Sequence, residues 1–237
     1  MDKNITKARA YFYEFLAYPL FFHTSDEKFA RWREQLSYLA QNPLSEQSAE
    51  AFANLEEFSF KELVNEQNEV LFGFTNIPLS ASFYEEGRDN GAARLRVIHC
   101  LNLSPYRRDK ELCKDSEDYV GFIFLAMATF LNDEFNGAKN ISDKLFSETL
   151  NLFVDEFGSL LLAHKNANFF RSYALILKDF IELERAVLSV EAPAKPQGDS
   201  VAMAALKKEP FQSKMPTIKT KLHWEEFSPV ISHEFKD

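Results

Sequence analysis

The chain has 237 residues, among them 24 Phe, only 7 Gly and only 2 Cys, and a formal net charge of −9. Such a length makes one large domain or two small ones and buries roughly 70% of its unfolded surface without staples. Two distant cysteines, Cys100 and Cys113, exclude a disulfide scaffold, a zinc ribbon and a thioredoxin-type site, and the acidic balance disfavours nucleic acid and anionic membranes while favouring cationic partners.

The opening MDKNITKARAYFYEFLAYPLFF holds an apolar stretch, but Glu14 interrupts it and no small-residue cleavage site follows. Ile5, Ala8, Phe12, Phe15 and Leu16 recur at three- and four-residue spacing, which predicts an amphipathic helix over 4–18 that Pro19 helps to stop. Thr24-x-x-Glu27 reads as a capping box before the stripe Phe29, Trp32, Leu36, Leu39. A helix over 46–57 follows. Ser59-x-x-Glu62 is a second capping box, opening a helix with Leu63, Val70 and Leu71 on one side. The period breaks at GFTNIPLSAS, 73–82, which reads as a loop, with Ser82-x-x-Glu85 as the cap of a short helical turn. A helix over 91–103 and a charged linker from Ser104 to Ser116 come next. The stretch EDYVGFIFLAMATFL, 117–131, is apolar almost all round and predicts a buried central helix. Two long helices, 142–163 and 167–189, finish the body.

Beyond Val190 the composition shifts to Pro, Lys, Ala and Ser, the signature of a flexible tail that ends in the aromatic LHWEEFSPVISHEF. Residues 191–237 hold 7 Lys and 7 acidic side chains, so the whole net charge of −9 belongs to 1–190. The expectation is an all-α protein: one helical-bundle domain of eight to ten helices over 1–190, with 191–237 as a largely flexible tail. No run of 18 apolar residues exists, and the twin Arg107-Arg108 lies mid-chain with no apolar run behind it, so it is no export signal. The reading is a cytoplasmic protein without stable membrane insertion.

Catalytic patterns are missing from the sequence. There is no GxxxxGK[ST], GxGxxG, HExxH, Gly-x-Ser-x-Gly or Glu-x-x-His. Glu62, Glu66 and Glu69 share a helical face, which reads as a solvated face rather than a cation site. His99 beside Cys100 points in a different direction from its neighbour and reads as structural. The expectation is a protein that is not an enzyme, with no cofactor and no metal. A scaffold acting through its aromatic tail and a metal-dependent helical enzyme are the alternatives.

Two segments remain. One is GFTNIPLSASFYEEG, 73–87, and the other is Asp115-Ser116-Glu117-Asp118-Tyr119 at the mouth of the apolar helix. Acids there either complement a helix dipole or form an acidic rim over an apolar floor. Such a rim suits a peptide with arginines followed by an apolar run, because carboxylates grip guanidinium bidentately. Asp118, Glu117 and Asp115 are the candidates for the arginines, and Tyr84, Phe83 and Tyr119 for packing. Glu85 stands beside them, and Ser82 is expected to fix the loop.

On these residues the chain resembles the TorD/DmsD/NarJ family of redox-enzyme maturation chaperones. The opening RAYFYEFLAYPLFF resembles the family's Tyr/Leu-rich first helix ending in Pro. NEVLFGFTNIPLSASFYEEG, 68–87, resembles its Leu-Phe, Pro, Ser-x-Tyr stretch, with Ser82 and Tyr84 on the Ser and Tyr. DSEDYVGFIFLAMATFL resembles its Glu-Pro-x-Asp-His motif and apolar helix, with Asp115 for Glu, Ser116 for Pro, Asp118 retained and Tyr119 for His. The likeness covers about 1–190. It implies an all-helical cytoplasmic chaperone, monomer or homodimer, that binds the twin-arginine signal peptide or apo form of an exported molybdopterin oxidoreductase and delays export until the cofactor is inserted. A formate dehydrogenase or related reductase is the favoured client.

Overall fold

The computed structural model of the chain describes residues 3–23, 25–73, 76–194 and 197–207. Helix α1 (Lys3–Ala17) turns Phe12, Tyr13, Phe15 and Leu16 inward together, as residues three and four apart on a 3.6-residue turn must. A 3-10 turn, Tyr18–Leu20, carries Pro19 and ends it. Helices α2 (Glu27–Ala40), α3 (Glu46–Glu56) and α4 (Phe60–Val70) follow. Ser45 and Ser59 cap α3 and α4 through reciprocal capping boxes, the second with Glu62 as expected. Thr24 of the first expected box lies outside the described residues, and α2 begins after Asp26.

Helix α5 (Ala81–Glu86) is short and stops at Gly87, whose φ of 67° suits a residue without Cβ. Its N-cap is Ser80, not Ser82, and no side chain caps it. After α6 (Ala92–Asn102) the chain runs without helix through 103–119, here called the strap. Helix α7 (Val120–Phe135) then lies along α1 and buries Ile123, Phe124, Met127, Phe130 and Leu131. A continuous rod of α8 (Ser142–Leu145), a π-helical stretch (Phe146–Leu150) and α9 (Asn151–Ala163) matches the expected 142–163 helix. Helix α10 (Phe169–Leu188) packs on α3 and α9. With the rod counted once, the described residues hold ten helices and no strand, so the protein is all-α as expected.

The segment beyond 190 contributes one more element, α11 (Val201–Leu206), which packs on α5. Residues up to Leu206 form a single compact unit. The aromatic end LHWEEFSPVISHEF lies outside the described residues.

Two buried polar devices tie the bundle. Arg9 on α1 meets Glu184 on α10 through Nε–Oε1 at 2.5 Å and Nη2–Oε2 at 3.0 Å, and Tyr13 donates to Glu184 Oε2 at 2.8 Å. Arg9 is 2% and Glu184 0% exposed, so the pair is tolerable only because it is bidentate and further hydrogen-bonded. The second corrects the expectation of a solvated Glu62/Glu66/Glu69 face. Glu66 is buried, and its carboxylate accepts the N–H groups of Asn168, Phe169 and Phe170 at 2.8–2.9 Å. It satisfies the free donors at the start of α10 from a different helix.

Candidate functional site

The two segments singled out in the sequence meet in space. Ser80 and Tyr119 form an isolated antiparallel bridge. Ala81 N–H donates to Asp118 O and Val120 N–H to Leu79 O, each at 2.8 Å. This pairing holds Tyr119 extended, at φ −62° and ψ 130°, so α7 begins at Val120 and not at 117. Asp115, Glu117 and Asp118 therefore precede the helix rather than fill its first turn. At Gly121 the walls come so close that a Cβ would sit 2.9 Å from ring carbons of both Phe21 and Tyr119.

Asp118 is 0% exposed. One carboxylate oxygen accepts from Ser80 Oγ at 2.7 Å, from Ser82 N–H at 3.3 Å and from the Ser82 hydroxyl, and the other accepts from the Ser116 hydroxyl. Burial opposes its charge, but the bonds from Ser116, Ser82 and Ser80 outweigh burial and hold its pKa below the ordinary carboxylate value. Expected on a rim, Asp118 is instead an internal junction that pins Ser80 and the first turn of α5 to the strap. Ser82, expected to fix the loop, lies in the first turn of α5 and ties that turn to Asp118.

Glu117 is also buried, at 7% exposure. Arg94 Nε donates to its Oε2 at 2.6 Å and Arg108 Nε to its Oε1 at 3.0 Å. Burial again opposes the charge, and the two arginines outweigh it, bringing the pKa down to about 2. Glu85 pairs in the same way with Arg96. Of the expected acidic rim only Asp115 is exposed, and its backbone carbonyl accepts from Arg108 Nη1 at 2.6 Å.

The aromatic candidates divide. Tyr84 belongs to the core: its hydroxyl donates to Pro78 O at 2.8 Å and its ring stacks on Phe153 at 5.4 Å. Tyr119 is buried and donates to Leu20 O, yet one side of it faces a groove together with half-buried Phe83.

That groove, about 670 Å³, is lined by Phe72, Leu79, Phe83, Arg94, Asp115 and Tyr119 among others. A second groove of about 530 Å³ has walls that include Tyr18, Phe21, Phe22, Trp32, Leu112 and Leu125. The two adjoin where Phe21 meets Tyr119 at 5.4 Å and Phe22 meets Phe72 at 6.3 Å. The strap stands between them, with Leu112 and Cys113 facing the second groove and Lys114 and Asp115 the first. Phe22 is 58%, Phe72 43%, Leu112 87% and Leu125 40% exposed. Scattered apolar side chains on a surface need no explanation, but four around one double furrow make a patch of the kind that binds partners. The Tyr18 hydroxyl, in the second groove, is buried without a partner among the described residues. Sequence reasoning missed Phe22, Leu112 and Leu125, which gather from three separate stretches of chain.

Among the described residues of the furrow no nucleophile is paired with a base. Burial pushes the Cys113 thiol up and the His23 imidazole down, and His23 Nε2 lies 2.9 Å from the Tyr18 carbonyl. Among the described residues no group of three His, Cys, Asp or Glu side chains is arranged to hold a metal ion. No described helix is long and apolar enough to cross a membrane. The arrangement can hold an apolar segment against aromatic walls with charged groups at its margins. Comparison with known families finds no match for the chain, and comparison with curated proteins finds none.

Proposed function

We propose that this protein is a cytoplasmic peptide-binding chaperone. Its client is an exported molybdopterin oxidoreductase, recognised through its twin-arginine signal peptide or in its apo form and held back until its cofactor is inserted. The observation that carries the reading is the double furrow built where residues 76–80 and α5 meet the strap. It combines exposed aromatic side chains with carboxylates and arginines, and it draws on all three segments that carry the family resemblance. An apolar leader core would be held by area burial at roughly 25 cal/mol per Å², less the cost of ordering the peptide. The body's charge of −9 would draw in a basic leader at low salt. The oxidoreductase and its cofactor come from the resemblance alone.

The test is affinity capture of the tagged protein from its native cytoplasm, read by mass spectrometry, beside titration with a synthetic leader peptide that carries two adjacent arginines followed by an apolar run. Enrichment of a molybdopterin oxidoreductase precursor, with leader binding that weakens as salt rises, supports the proposal. A leader that does not bind at millimolar concentration, with no such precursor captured, overturns it.

A further inference from the structure

The mid-chain Arg107-Arg108 pair has no role in the function proposed above, yet the structure puts one member of it on Glu117. Arg108 Nε donates to Glu117 Oε1 at 3.0 Å, while Arg108 Nη1 donates to the carbonyls of Cys113 at 2.9 Å and Asp115 at 2.6 Å. Its side chain is 10% exposed. Arg94 holds the other carboxylate oxygen, so Glu117 keeps a charged partner when Arg108 leaves. Ahead of Glu117 the strap is lightly held. Leu112 is 87% exposed, the Lys114–Glu111 pair is open to solvent, and Tyr106 reaches Asp133 at an exposed surface. Arg108 thus folds the 109–116 segment of the strap back onto Glu117, which Arg94 on α6 and the neighbouring Asp118 junction fix to the body.

We infer that Arg108 is a built-in stand-in for a partner's arginine: a guanidinium-bearing peptide takes Glu117 by displacing Arg108, and the released 109–116 segment widens the passage between the two grooves. The exchange replaces one guanidinium on Glu117 by another and leaves the ion-pair chemistry unchanged. Selectivity follows from the competition. A tethered side chain has an effective concentration in the millimolar range, so a lone arginine competes poorly. A peptide that also lays apolar residues on Phe22, Phe72 and Leu125 adds the surplus needed. Leu112 and Cys113 line one groove and Lys114 and Asp115 the other, so release of this segment opens more of both walls to an apolar segment. The device therefore favours a ligand that carries arginine and apolar residues together over one that carries either alone.

The inference rests on the peptide-binding reading, and the test separates the two. The probe is a synthetic 20-residue peptide with two adjacent arginines followed by an apolar run, labelled for fluorescence anisotropy. Its controls have lysines for the arginines or serines for the apolar run. A latch closed nine-tenths of the time weakens apparent affinity about tenfold, so Arg108→Ala should bind the probe about tenfold or more tightly than wild type, and Arg108→Lys, which keeps the charge but not the two-nitrogen grip, should fall between the two. Equal binding by wild type and Arg108→Ala overturns the latch and leaves the peptide-binding reading intact. Binding by neither, up to millimolar probe, overturns both. A readout on the unaltered protein guards against a variant that fails to fold. On adding probe, hydrogen exchange at the 109–116 amides should accelerate severalfold, whereas unchanged or slowed exchange there refutes release of the strap.

Discussion

Removing the Asp118 carboxylate should cost stability before it costs binding. Asp118→Ala leaves three serine hydroxyls, on Ser80, Ser82 and Ser116, and the Ser82 N–H without their common acceptor in a site that is 0% exposed. A buried polar group left unpaired costs about 1–3 kcal/mol, and hydroxyls that rotate to new partners recover part of that. About 4 kcal/mol is therefore expected for the whole change, a large share of the ~5–15 kcal/mol that holds a domain together. For a body of this size each kcal/mol moves Tm by about 2–4 °C, so the variant should melt about 8–16 °C lower. Asp118→Asn keeps one oxygen acceptor and should lose about half as much. Thermal and urea melts followed by circular dichroism read these shifts, and probe-peptide affinity is measured well below each variant's Tm. The sign with pH is fixed by the lowered carboxyl pKa. The charged junction stabilises the fold above the ordinary carboxylate range, and its contribution fades as pH falls through the lower folded value, so wild type and Asp118→Asn should converge in strong acid. An Asp118→Ala protein that melts within about 2 °C of wild type while losing the peptide would refute the junction and return Asp118 to the binding surface.

Three other outcomes are expected. Glu66→Ala should destabilise the fold by about 2–3 kcal/mol, because three N–H groups at the start of α10 lose a buried acceptor; a urea-melt change under 0.5 kcal/mol would show that water replaces the carboxylate without loss. Phe22→Ser should change the melt by less than about 0.5 kcal/mol, since the ring is 58% exposed, yet weaken the probe peptide about five- to tenfold through lost apolar contact; unchanged affinity would place the peptide elsewhere. Glu117 titrates near 2 in the fold against an ordinary 4.5, so its ion pairs stabilise the protein above about pH 4.5 and are lost between about pH 4.5 and 2 as the carboxyl protonates. Glu117→Gln should therefore flatten the fall in stability over that window, which acid titration of the melt reads directly.

The helices were legible because each announces itself locally. The stripes Phe12-Phe15-Leu16 and Phe29-Trp32-Leu36 and the Ser59/Glu62 box act over one or two turns, and the structure places an element at each. The meeting of the two site segments was legible only as two interruptions of that pattern. What each acid does there was not. Ser82 and Asp118 are 36 residues apart in sequence, and Glu66 lies 102–104 residues from the N–H groups it caps. A carboxylate reads the same in sequence whether it faces water or three donors. The same blindness hid Arg108: as a dipeptide Arg107-Arg108 resembles an export motif out of place, and only the fold shows that the guanidinium has a carboxylate to sit on. The apolar furrow was invisible for the opposite reason. Phe22, Leu112 and Leu125 follow no period, because they come from a loop, the strap and the outer face of α7, and an exposed apolar residue is conspicuous only once its neighbours are exposed as well. The patterned residues thus build the body. The unpatterned ones, left over when every stripe has been buried, are where a partner has something to hold.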